Sequence, residues 1–295
     1  MNNMPLGQYV PGNTLIHRLD PRVKLILVIF YMITLFMIDN LLLYIPLFIF
    51  VYLVVKLANL SFLNILKSLK SIIFILLFTT VIHIFSTPGR EVASIWKLTI
   101  TYEGIQRALY IGIRLIMLVI GTSYLTLTTS TTKLTDGLEE IMSPLKVIGF
   151  PAHELAMMIS IALRFIPTLF DEANKIRKAQ LARGAEFDSG NVLKKAKAMI
   201  PLLVPLFINS FRRASELATA MEARGYKGSE GRTRLNPLVM NRVDWLVLIG
   251  TIILFIALIV IGKIIWGIFW LIFHMMEVSF MDFKDNLIKE QFKVK

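Results

Sequence analysis

Apolar residues gather in five blocks, at about 21–38, 41–57, 71–85, 105–128 and 243–273, with short polar breaks between them. Each block approaches or exceeds the roughly 17–25 residues that cross a bilayer as helix, the third being the shortest. Asp20 followed by Pro21 is a helix start, since Asp caps free amides and Pro suits the first helical position. A turn near Asp39-Asn40 then makes the first two blocks a helical hairpin. Pro46 falls near the start of the second block, where a missing amide donor costs little. Ser86 to Arg90 has turn chemistry, and 86–104 shows no periodicity. Thr126 to Thr132 forms a polar exit from the fourth block.

Between the fourth and fifth blocks the pattern changes. Apolar residues recur in steps of three and four at Ala156, Ile159, Leu163, Ile166, Phe170, Ala173 and Ile176. They recur again at Met199, Leu203, Phe207, Phe211, Ala214, Ala218 and Met221. Two long amphipathic helices are predicted, bent at Pro167, Pro201 and Pro205. Arg164, Asp171, Glu172, Lys175, Arg177 and Lys178 interrupt the first; Lys194, Lys195, Lys197, Arg212, Arg213 and Glu216 interrupt the second. A charge at the bilayer centre costs at least about 2.5 kcal/mol, so both helices are expected along or below the membrane. The fold class is therefore all-α. We expect a polytopic membrane protein with about five transmembrane helices and a region of long amphipathic helices. Its parts are 1–128 with four spans, 129–240, the last span at 241–276 and a tail at 277–295.

Composition agrees: 56% of the 295 residues are hydrophobic and mean hydropathy is +0.67, values of a membrane protein rather than a soluble globule. The first 20 residues are polar, so no signal peptide is expected. Cysteine is absent, which excludes thiol chemistry. The formal charge is +12, and residues 129–240 hold 16 Lys/Arg against 11 Asp/Glu. Basic excess marks the cytoplasmic side. That rule places the N-terminus and 129–240 inside and the C-terminus outside. Anionic headgroups suit the basic stretch 190–234 better than nucleic acid does, because acids interleave with the cations and no aromatic stacking set accompanies them. No phosphate-binding loop, nucleophile elbow or metal-ligand spacing is present. Arg114 and Lys263 are intramembrane cations, expected to snorkel toward the outer interface.

Each amphipathic segment ends in the same triplet, Ala182-Arg183-Gly184 and Ala223-Arg224-Gly225, 41 residues apart. Glycine past a helix end takes the left-handed conformation cheaply, and a cation in the last turn suits the helix dipole. Routine capping explains one such ending; a pair suggests docking. The same 41-residue shift places Asp171-Glu172 on Arg212-Arg213. Those four are either a solvated face or an inter-helix pairing with opposite charge at matching positions.

Taken together, the Leu19-Asp20-Pro21-Arg22 entry, four early spans, a long helical region with two Ala-Arg-Gly triplets and a last span resemble the transmembrane T component (EcfT) of energy-coupling factor transporters, over essentially the whole chain. The resemblance implies a non-catalytic subunit of an ABC-type importer in a prokaryotic cell membrane. Its partners would be two ABC-type ATPase subunits, which bind the ATP, and a substrate-binding membrane S component for vitamins or metal ions. It also implies that the motif helices cross and that Arg183 and Arg224 each dock in a groove of one ATPase. It implies no cofactor of the chain's own. A self-sufficient secondary transporter is the alternative, but it would want an intramembrane carboxylate and inverted repeats, and neither is present.

Overall fold

A computed structural model describes residues 9–38, 40–70, 72–95, 98–185, 187, 191–228 and 237–293. Asp39, Ser71, Glu186 and most of the basic stretch beyond 228 fall outside the described residues. The chain divides into two compact units, one of Pro11–Thr128 with Met240–Lys295, the other built on Thr129–Val239.

In the first unit, α1 (Leu15–Arg18) leads into α2 (Pro21–Met37), α3 (Tyr44–Leu57), α4 (Phe62–Lys70), α5 (Ile73–Ser86), α6 (Tyr102–Thr128) and α10 (Arg242–Lys293). Asp20 caps α2 by accepting from the Arg22 amide at 2.8 Å, with Pro21 in the first turn. The core is formed by Tyr31, Leu35, Leu47, Met117, Phe255 and their neighbours on α2, α3, α6 and α10. Tyr31 donates to the Met117 carbonyl at 2.8 Å. Its ring sits where a Cβ on Gly121 would stand 2.2 Å from it, so only glycine admits this approach. Outside that core the spans expose large side chains, including Phe74, Leu77 and Phe78 on α5. Buried-in, apolar-out helices are what a lipid solvent selects.

Three details differ from expectation. Residues 86–104 hold a two-stranded antiparallel hairpin, β1 (Glu91–Ile95) with β2 (Leu98–Thr101), bulged between Glu91 and Ala93. The alternation Leu98-Thr99-Ile100-Thr101 carries that strand, but it is too short to stand out. Arg114 has partners inside the protein that the sequence did not announce. It donates to the Ile38 carbonyl and the Tyr44 hydroxyl at 3.1 Å each, and also to Tyr110, whose ring it covers. The open carbonyl end of α2 supplies the acceptor that the membrane lacks. Finally, α10 runs on to Lys293 rather than ending in a separate tail, since no glycine or proline follows Gly267.

The second unit holds α7 (Thr131–Met142), a 3-10 turn at Ser143–Ile148, α8 (Ala152–Ala182) and α9 (Val192–Ala223). Helices α8 and α9 are unbroken through Pro167, Pro201 and Pro205. Among the described residues, three helices are long and apolar enough to cross a membrane: Tyr102–Thr128, Ala152–Ala182 and Arg242–Ile265. The second runs against the expectation that both amphipathic segments are too charged to span. Its charges cluster from Asp171 onward, which leaves an apolar first half broken only by Glu154 and Arg164.

Candidate functional site

The two long helices of the second unit end alike, to the level of single hydrogen bonds. In α8, Arg183 is the cap residue and Gly184 follows at φ +84°. The Gly184 amide donates to the Leu181 carbonyl and the Ala185 amide to the Gln180 carbonyl, both at 3.0 Å. In α9, Arg224 is the cap and Gly225 has φ +75°. The Gly225 amide donates to the Glu222 carbonyl at 2.9 Å and the Tyr226 amide to the Met221 carbonyl at 3.0 Å. Both are complete Schellman endings, in which a left-handed residue satisfies two orphan carbonyls. Glycine is required at that φ, because an L side chain there is strained. Ala182, Arg183, Gly184, Ala223, Arg224 and Gly225 are all exposed, and the space around both glycines is open. The backbone hydrogen bonds thus use up the capping function, which leaves both guanidinium groups outside the motif geometry.

Of the four charges that the 41-residue shift superimposes, the fold joins one pair across the helices. Arg213 Nη2 lies 3.0 Å from Glu172 Oε2, and the Asn209 side-chain amide donates to Glu172 Oε1 at 2.5 Å. Arg212 instead pairs with Glu216 on its own helix at 3.2 Å, and Asp171 is exposed. Glu172 lies 11 residues before Arg183, and Arg213 lies 11 before Arg224. At 1.5 Å per residue each triplet stands about 16 Å beyond this contact. Residues related by the repeat thus meet at one point, Glu172 and Arg213.

The two ends are not equivalent around their arginines. A cleft of about 640 Å³ opens beside Arg224, lined by Met157, Ser160, Arg164 and Leu217 with Met221, Tyr226 and Lys227. Three cations and a tyrosine therefore share that cleft. In the sequence Arg164 is only a charge interrupting the apolar stripe. Nothing in the local pattern links it to Arg224, 60 residues away. Around Arg183 the chain supplies Ala185 and Glu186 where the second end has Tyr226 and Lys227.

A second cluster also escaped the sequence reading. In the first unit, Asp20, Lys24 and Asp244 are 6%, 2% and 3% exposed. Asp244 accepts from the Asp20 amide at 3.0 Å and from the Asn241 amide at 2.8 Å. Asp20 in turn takes a bidentate fork from Arg22 at 2.8 and 3.1 Å. The Lys24 ammonium donates to the Thr128 carbonyl at 3.1 Å. Two cations and two carboxylates thus tie the starts of α2 and α10 to the end of α6. The only sequence signal was Asp20-Pro21, which announces a helix start and says nothing of a partner 224 residues on.

Among the described residues no group of three or more His, Cys, Asp or Glu is placed to hold a metal. A family profile described as CbiQ, cobalt transport protein, matches residues 12–235, three quarters of the chain. The chain belongs to that family. Curated relatives carry the name energy-coupling factor transporter transmembrane protein EcfT. That of Thermosediminibacter oceani is 48% identical over 270 residues, covering 92% of this chain and all of the relative. That of Ruminiclostridium cellulolyticum is 52% identical over 247 residues, covering 84% and 92%. The Bacillus subtilis protein is 46% identical over 255 residues, covering 86% and 96%. The family is one of transporter membrane components, and the apolar helices place the chain in a membrane. Its matched region includes both Ala-Arg-Gly triplets and the Asp20–Arg22 entry.

Proposed function

We propose that this chain is the coupling scaffold of an energy-coupling factor importer. It joins two ABC-type ATPases, which bind and hydrolyse ATP, to a membrane S component that captures a vitamin or metal ion. The observation that carries the reading is the pair of exposed Schellman endings, each presenting an arginine about 16 Å beyond the Glu172–Arg213 contact. An arginine's planar fork holds a carboxylate bidentately and stays charged at any working pH. Arg183 and Arg224 each dock in one ATPase. When ATP draws the ATPases together, the docked ends move, and the helix pair turns about its single ion-paired crossing. The apolar stripe Leu203, Phe207 and Phe211 on α9, more than half exposed at every position, supplies a surface for the S component or the bilayer.

We place the N-terminus and 129–240 in the cytoplasm and the C-terminus outside. Five spans support this placement, with α8 lying along the membrane because its ion-paired half and Arg164 disfavour insertion. A cysteine at Ser189 should resist impermeant maleimide in intact cells and one at Asn286 should react. Labelling of the Ser189 site from outside would mean that α8 spans.

The docking reading is tested by Arg183→Ala and Arg224→Ala, singly and together. Losing one desolvated, charge-assisted contact costs about 2–5 kcal/mol at an interface. Each single variant should insert normally but co-purify less ATPase, and the double variant should lose uptake. Wild-type uptake by the double variant at normal expression would reduce both arginines to helix caps.

A further inference from the structure

The membrane unit contains a pit of about 290 Å³ lined by residues of α1, α2, α3, α6 and α10. Leu15, Ile16, Val51, Val54, Val247 and Phe255 are among the lining residues. Apart from the rings of Tyr31 and Tyr124 and the Thr251 hydroxyl, every lining side chain is hydrocarbon. A lining this short of polar groups suits an apolar occupant. The volume is about twice the ~150 Å³ of an engineered cavity in another protein that stays dry and takes up benzene. It is too small to enclose a helix, whose diameter with side chains is about 10–12 Å. A flexible hydrocarbon chain matches both limits.

The charge beside the pit selects what that chain is attached to. Arg18 stands between the lining residues Ile16 and Leu19, and Lys56 between Val55 and Leu57. Both cations are exposed, and α1 packs on α3, which brings the two lining segments together. We propose that this pit binds one acyl chain of an anionic glycerophospholipid, whose phosphate is held by Arg18 and Lys56. An exposed cation at a membrane surface favours an anionic headgroup, and two acting together give a preference of about thirtyfold over a zwitterionic lipid. The lipid would bridge α1 and α3 to α10, whose start the Asp20–Asp244 cluster also ties.

The test uses the full-length chain in liposomes of phosphatidylcholine with a minor fraction of a lipid carrying a diazirine in its acyl chain. One arm uses phosphatidylglycerol as the probe, the other phosphatidylcholine. After illumination, adducts are mapped by peptide mass spectrometry. We expect adducts concentrated on 15–19, 50–57 and 243–255, with about thirtyfold more from the phosphatidylglycerol probe. Val54→Phe with Val247→Phe fills the pit and should remove them. Arg18→Gln with Lys56→Gln should bring the two probes to about equal yield. Adducts spread evenly over lipid-facing residues such as Phe74 and Phe78 overturn the proposal. So does equal capture of both probes by the unmodified chain, a comparison that needs no variant. A photocrosslinker at Val54 that captures a protein helix in native membranes, with no lipid adduct, also overturns it.

Discussion

The two units solve opposite problems with the same residue types. In the membrane unit the charged residues Asp20, Lys24 and Asp244 are buried and each finds a partner within the unit, while phenylalanines and leucines face outward. In the second unit, among the described residues, α9 has no buried residue and α8 has only Ala152 and Ala156, and many charged and apolar side chains alike are exposed. The first arrangement is self-contained: hydrocarbon solvent accepts the apolar surface, and the cluster closes its own polar groups. The second is incomplete. A helix pair of this length gains its stability from packing an amphipathic face, and here most of that face is uncovered. A mutation in the membrane unit should therefore act on stability, and one in the helix pair on partner binding.

The largest effect expected from that contrast is in the membrane unit. Asp244→Ala removes the acceptor of the buried Asp20 amide and unbalances a cluster of two cations and two carboxylates. A loss of about 3 kcal/mol is expected. It should be read as a lower melting temperature in detergent and poorer yield, with the ATPase-docking arginines untouched. Full stability with lost coupling would erase the distinction between the units.

An intermediate effect belongs to the arginine forks. Arg183→Lys and Arg224→Lys keep the charge but cannot hold two carboxylate oxygens in one plane. ATPase co-purification should fall in both, while melting temperature stays at the wild-type value. The second site should suffer more, because Arg224 shares its cleft with Arg164, Lys227 and Tyr226 whereas Ala185 and Glu186 follow Arg183. Two variants indistinguishable from wild type would leave simple charge attraction in place of a fork.

The smallest effect is at the crossing. The Arg213 side chain is 36% exposed and that of Glu172 is 16% exposed, so solvent screens much of the pair. A double-mutant cycle of Glu172→Gln and Arg213→Gln should give a coupling of about 1 kcal/mol in stability. Uptake should drop in each single variant, with part of it restored in a Glu172→Arg, Arg213→Glu exchange. Strict additivity would show that the helices pivot elsewhere.

Much of this was legible in the chain itself. The spans, the two long amphipathic helices and their ends at Arg183 and Arg224 follow from local rules, because apolar periodicity and a glycine after the last turn act within a few residues. Membership of the transporter family rests on those same features. Tertiary structure alone decided the rest. Glu172 chooses Arg213, while Arg212 turns to Glu216 one turn along its own helix; equal composition at neighbouring positions conceals which side of the helix meets its partner. Arg114 finds the open end of α2, 76 residues away, a partner that hydropathy does not name. Lys24, Asp20 and Asp244 become one buried cluster only when α2, α6 and α10 bring their ends together. Local backbone preferences are written in short stretches of sequence, whereas the partner of a buried charge depends on which distant helix end arrives beside it.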